Sequence, residues 1–169
     1  MSNKDFYNEK AINKLKTIAE SARFCMMLTQ FQKRPVSARP MSLQEVDKQG
    51  ILWFISSIDS DKNYELNHNA EVQLLFQNNS KSEYLSVFGK AEIYTDKIMI
   101  NKHWTEMANA WFENGKEDPN VSIIGIRPID VRYWGTKYGK LIDMALVLYD
   151  AITDGDASKN TGIEGKLKI

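Results

Sequence analysis

Cysteine is almost missing from this chain. Cys25 stands alone among 169 residues, so no disulfide can close within the chain and no CxxC pair can hold zinc. Histidine is nearly as scarce: His68 and His103 share no metal-ligand spacing, and no metal site is expected. An excess of one charge is also lacking. The 22 basic and 22 acidic side chains cancel and the pI is near 6.7, so no overall field draws in nucleic acid or an anionic membrane. No apolar run reaches the roughly 18 to 20 residues of a membrane span. The polar start Met1-Ser2-Asn3-Lys4-Asp5 is not followed by a signal-type apolar block, and a cytoplasmic location is expected. The signatures GxGxxG, GxxxxGK[ST] and GxSxG are absent, which removes the usual sequence grounds for a dinucleotide fold, a P-loop or a serine hydrolase.

What remains is ordinary globular material, 43% hydrophobic and 26% charged, in a length that suits one domain. Such a chain buries about 70% of its unfolded surface and needs no staples. Ile12, Leu15, Ala19 and Ala22 recur at helical spacing, predicting a helix from about Asp5 to Ser21. Strand patterns follow. Arg23–Gln30 and Ile51–Ile55 are continuous apolar runs, while Pro35–Met41, Val72–Phe76 and Leu85–Ile93 alternate. Val121–Tyr133 and Leu141–Tyr149 read as further strands, with short helices at Asp61–His68 and Asp96–Trp111. Pro40 inside a strand-like stretch predicts an edge or a bulge there. The expected architecture is mainly β with helices, an antiparallel barrel of about six to seven strands. Residues 1–150 would form one domain with its N-terminal helix, and residues 151–169 a C-terminal tail that is mobile between Thr153 and Lys166 unless a partner orders it.

Three stretches can carry chemistry. In Trp53-Phe54-Ile55-Ser56-Ser57-Ile58-Asp59-Ser60-Asp61-Lys62, an apolar strand runs into hydroxyls and a lysine before a helix. Hydroxyls, free N–H groups, a helix N-terminus and an ammonium together suit a phosphate. The alternative is a plain helix cap at Ser60 or Asp61 with Lys62 in solvent. In Arg34–Met41, Arg39 shares a strand face with Ser37 and can fork onto the same anion, or can be a strand-surface arginine. Trp104, Trp111, Phe112, Tyr133 and Trp134 can wall a planar heterocycle, or can be core or subunit interface. Cys25, in an apolar run, reads as a buried structural thiol. His68 and His103 are assigned to a helix end and a helix face rather than to catalysis.

Taken in order, the Phe24–Leu28 strand, Arg39-Pro40-Met41, Trp53–Ser57 with Ser60-x-Lys62, and Tyr84–Ala91 resemble the pyridoxamine 5′-phosphate oxidase-like flavoproteins. Trp111-Phe112-x-x-Gly115-x-x-Asp118-Pro119, Tyr133-Trp134 and Gly162-x-x-Gly165-Lys166-Leu167 are similar to the general stress protein 26 branch. The resemblance covers Ile12 to the C-terminus. It implies an FMN-binding split β-barrel, a homodimer with flavin in interface grooves, and FMN in preference to FAD. By motif it implies Arg39, Ser60 and Lys62 on the phosphate, with Ser56 and Ser57 assisting. Pro40 and Met41 would lie along the isoalloxazine edge, with Trp111 and Trp134 near the flavin and Ser86 as a further candidate. No catalytic side chain is identified.

The end Glu164-Gly165-Lys166-Leu167-Lys168-Ile169 lacks the basic substrate motif of true pyridoxamine phosphate oxidases, so vitamin B6 oxidation is not expected. The function implied is a flavin-dependent oxidoreductase with NAD(P)H or another electron donor. The alternative is a stress protein that binds flavin or a phosphorylated ligand without turnover, and a third is a structural dimer with an empty groove.

Overall fold

Alternating burial along the strands closes a six-stranded antiparallel barrel. The computed structural model describes residues 2–137, 139–153 and 161–169. Two short strands, β1 (Ser2–Asn3) and β2 (Phe6–Tyr7), precede helix α1 (Asn8–Ala22). Then come β3 (Phe24–Thr29), β4 (Ser37–Val46), β5 (Leu52–Ser57), helix α2 (Asp61–His68), β6 (Glu71–Asn78) and β7 (Glu83–Tyr94). Helix α3 (Lys97–His103) and two 3-10 turns, Glu106–Ala110 and Gly115–Glu117, form an insert before β8 (Val121–Thr136). Helix α4 (Lys140–Thr153) and β9 (Gly162–Lys168) complete the described elements. The barrel runs β8-β5-β4-β3-β6-β7 and closes through β7 and β8, which pair from Tyr84↔Trp134 to Tyr94↔Ile123.

The barrel interior is filled by inward residues such as Met27, Phe54, Leu74, Phe76, Val87 and Ile126, all buried. Each fully buried side chain of this kind stabilises the fold by about 1.5–3 kcal/mol. Phe54→Ala would cost about 3–5 kcal/mol, because its cavity cannot collapse in a closed barrel. Helix α1 adds Ala11, Leu15, Ile18 and Ala19 to the same core, a stripe turned slightly from the one predicted: Ile12 and Ala22 are only half-buried.

A second apolar cluster explains the continuous run at Ile51–Ile55. The insert lays Ile100, Ala108 and Phe112 over Trp53, Val121 and Ile123 on the outside of β5 and β8. Those strands are therefore buried on both faces and have no reason to alternate. Gly125 permits the packing, since a Cβ there would lie 2.6 Å from the Trp53 ring.

Two predicted elements are corrected. Leu141–Tyr149 falls within α4, not a strand; apolar residues at nearly every position hide the helical period. Ile142, Met144, Val147, Leu148 and Ile152 are exposed on it. Within the stretch predicted to be mobile, Gly162–Lys168 is a strand beside Arg132–Thr136 of β8, held also by β1 and β2. Gly165 lets the N-terminal segment approach closely: a Cβ would meet the Lys4 carbonyl. Residues 154–160 of the same stretch lie outside the described residues. No helix of the described residues is long and apolar enough to cross a membrane.

Candidate functional site

Pro40 has no N–H to give, and β4 is built around that lack. Ser37–Ser42 pair with β3, but β4 meets β5 only over Leu43–Val46. Pro40 thus sits on a local edge, as its presence in a strand predicts. Beyond Phe54, residues Ile55–Ser57 of β5 turn to β8 alone. The two strands splay apart, and a groove of about 750 Å³ occupies the gap. Pro40, Met41 and Ser42 line one side, Ile55, Ser56 and Ser57 the other, with Lys62 of α2 at the rim. The insert adds Ala108, Trp111 and Phe112. Its volume lies within the usual range of small-molecule sites, about 300–1,000 Å³.

The bulge that ends the β4–β5 pairing also ties down the insert. The register shifts between Leu43 and Glu45. Gln44 Oε1 accepts from Thr105 Oγ1 at 2.7 Å, and Glu45 Oε1 lies 2.7 Å from His103 Nδ1. The His103 ring stacks on Trp53 at 4.0 Å and its side chain is fully buried. Burial, outweighing the help of Glu45, lowers the His103 pKa. His103 is thus the anchor of the groove's outer wall, at the end of its helix.

The polar end of the groove is organised from below. Ser56 Oγ donates to Asn63 Oδ1 at 2.8 Å, Asn63 Nδ2 donates to Ser122 Oγ at 2.8 Å, and Ser122 Oγ donates to the Ser56 carbonyl at 2.9 Å. This buried triangle fixes the start of α2 against β5 and β8. Ser60 holds the N-cap position, yet its hydroxyl donates to the Ser57 carbonyl at 2.7 Å and caps nothing. Among the described residues the Ser57 hydroxyl and the Lys62 ammonium have no hydrogen-bonding partner, and the N–H groups of Asp61 and Lys62 find no acceptor. Burial, then the neighbouring Arg39 charge, lowers the Lys62 pKa.

Arg39 is engaged elsewhere. Its Nη2 lies 2.6 Å from Glu65 Oε2 and its Nη1 donates to Thr29 Oγ1 at 2.6 Å. Glu65 also accepts from Ser37 Oγ at 2.9 Å and from Thr29 Oγ1. Burial opposes ionisation of Glu65, but those three donors outweigh it and hold the carboxyl below its usual range.

The residues predicted for one site are dispersed: Arg39 and Ser60 line neither groove, and the others divide between two. Pro40, Met41, Ser56, Ser57, Lys62 and Trp111 line the first. Ser86 and Trp134 line a second, of about 580 Å³, that shares Phe24 and Pro40 with the first. There Ser86 Oγ accepts from Gln73 Nε2 at 2.9 Å, and Trp134 Nε1 donates to Glu164 Oε2 at 3.1 Å. The late aromatic residues form no single wall: Tyr133 is buried in the barrel, whereas Trp111 is 68% exposed. Cys25 is buried, and burial raises its thiol pKa to about 12. His68 ends α2, its Nδ1 2.8 Å from the Tyr64 carbonyl. Glu65, Thr29 and Gln73 had no sequence signal beyond their residue types.

Comparison with known proteins gives this geometry a context. Residues 10–158 match the family described as pyridoxamine 5′-phosphate oxidase like. Over 150 residues the chain is 31% identical to protein bli-3 of Neurospora crassa, spanning 81% of this chain and 72% of that protein. A general stress protein 26 structure from Jannaschia sp. CCS1 superposes with a TM-score of 0.70 at 21% identity, covering 95% of this chain and 96% of that one. The general stress FMN/FAD binding protein of Xanthomonas citri superposes with a TM-score of 0.64 at 25% identity, covering 74% and 87%.

Proposed function

The chain belongs to the pyridoxamine 5′-phosphate oxidase-like family, and from that premise we propose that it binds FMN in the β4–β5 groove as a flavoprotein of oxidoreductase type. One observation carries the reading: a half-buried ammonium, a free hydroxyl and the free N–H groups of a helix start stand at one end of a groove whose other lining mixes apolar residues such as Met41, Ile55 and Phe112 with Gln44, Glu113, Asp118 and Asn120. Lys62, Ser57 and the start of α2 would hold the phosphate, which selects FMN over riboflavin. Ser56 and Ser60 shape that end through the network with Asn63, and Arg39 stands behind it. Pro40 and Met41 would lie along the ring, whose partners on the Pro40 side are backbone groups, since β4 is unpaired there. Trp111 would cover it. The bound isoalloxazine supplies hydride or single-electron transfer, drawing on NAD(P)H or another donor. The protein's own part is to bind, orient and exclude water.

The second groove supports a homodimer. Phe24, Met26, Leu75 and Tyr84 are exposed along one sheet face, and Ser86 and Trp134 adjoin them. An apolar face of this kind suits an interface. A second copy seated there would bring Trp134 and Ser86 to its neighbour's first groove. A cytoplasmic location is part of the same proposal.

Titration of FMN with the purified protein, read by quenching of flavin fluorescence, tests the proposal. Saturable quenching by FMN, weaker for riboflavin, is expected; no quenching by either refutes it. A non-catalytic flavin-binding role is the second reading, favoured by the lack of a nucleophile–base pair among the groove-lining residues. Flavin reduction by NADH or NADPH with reoxidation by an added acceptor would eliminate that reading.

A further inference from the structure

Among the described residues Glu65 is the only Asp, Glu, Lys or Arg that is buried. It lies behind the polar end of the groove, three residues along α2 from Lys62 and so on the same helix face. Its carboxylate takes three hydrogen bonds: from Thr29, from Ser37 and, at 2.6 Å, from Arg39. Arg39 uses two of its five N–H groups on Glu65 and Thr29, and three remain for a ligand. Its charge is offset in part by Glu65, although it still bears on Lys62. Lys62 is then the one cation at this end with no opposite charge bound to it among the described residues.

We propose that Glu65 sets how firmly the flavin phosphate is held: paired with Arg39, it offsets part of the positive charge at the polar end of the groove, and FMN becomes an exchangeable ligand. The inference rests on the reading that the FMN phosphate lies beside Lys62. A phosphate beside Lys62 would draw less on the Arg39 charge than it would without the carboxylate bound to that guanidinium. The ionised state of Glu65 follows from its donors, which outweigh its burial. Arg39 cannot leave Glu65 for the phosphate without orphaning a buried carboxylate, so the pair stays and the attenuation stays with it.

The test replaces Glu65 with glutamine, which keeps the size and one acceptor oxygen for Arg39 while deleting the charge. FMN and riboflavin are titrated into wild type and Glu65→Gln, and FMN release is followed after dilution. FMN should bind about three- to tenfold tighter, mostly through slower release, with riboflavin unchanged. Weaker FMN binding would overturn the inference, because the carboxylate would then serve to aim Arg39. An equal change for both flavins, or none, would overturn it too.

Should Glu65→Gln fail to fold, the double variant Arg39→Gln/Glu65→Gln decides, since it removes the pair with no change in net charge. It should lose less FMN-over-riboflavin preference than Lys62→Ala; an equal or greater loss overturns the inference. Wild type with no preference for FMN would refute the phosphate reading and this inference together. A wild-type preference that Glu65→Gln does not move refutes this inference alone.

Discussion

Replacing Lys62 with methionine separates charge from packing at the groove. Methionine keeps an aliphatic stem of similar length, so the apolar contacts survive and only the ammonium goes. The ammonium is half-buried and has no partner among the described residues, while burial and Arg39 both lower its pKa. The ligand-free protein therefore gains nothing from the charge, and the variant should melt no lower than wild type. A phosphate contact is a charge-assisted hydrogen bond, worth about 1.5–3 kcal/mol. FMN affinity should accordingly fall about ten- to hundredfold, and riboflavin affinity by less than about twofold. Fluorescence titrations with both flavins read the two values side by side. Equal losses, or an unchanged FMN affinity, would refute the placement of the phosphate beside Lys62.

Arg39→Ala should behave differently, because it strips Glu65 of its counter-charge. A fully buried pair broken in this way costs about 3–5 kcal/mol, and with Arg39 partly exposed about 2–3 kcal/mol is expected, measurable by urea unfolding. His103 gives a pH signature. Its folded pKa lies below the unfolded value, so the unfolded chain takes up the proton first as pH falls. Its stabilising contribution is intact above about pH 6.5 and is lost as the pH drops toward the folded pKa; His103→Gln should flatten that slope in unfolding curves taken below about pH 6.5. Leu75→Asp, on the exposed sheet face, should convert the proposed dimer to single chains in sedimentation experiments with little loss of fold. An unchanged dimer would exclude that face.

The barrel was legible because strand alternation survives wherever one face meets the core, as in Val72–Phe76 and Leu85–Ile93. It failed for α4, whose apolar residues occupy nearly every position, and for β9, where Gly162 and Gly165 read as loop although Gly165 permits close packing. The groove's rim was legible through Pro40, Ser57, Lys62 and Trp111, whose residue types suit an edge, a donor, a charge and a ring. The supporting residues were not. Glu65 looks in sequence like any helix-surface glutamate, and only the fold brings it to Thr29 and Ser37 on neighbouring strands. Asn63 and His103 are equally silent until Ser122 and Glu45 lie opposite them. The separation of Trp134 and Ser86 from Trp111 was hidden for the same reason, since only the fold places them on different grooves.

A crystal structure of the protein grown with FMN tests the central claim most directly. The account predicts phosphate density between Ser57, the first turn of α2 and Lys62, with the ring along Pro40 and Met41 beneath Trp111. Phosphate density elsewhere, or flavin lying outside the β4–β5 groove, would contradict it.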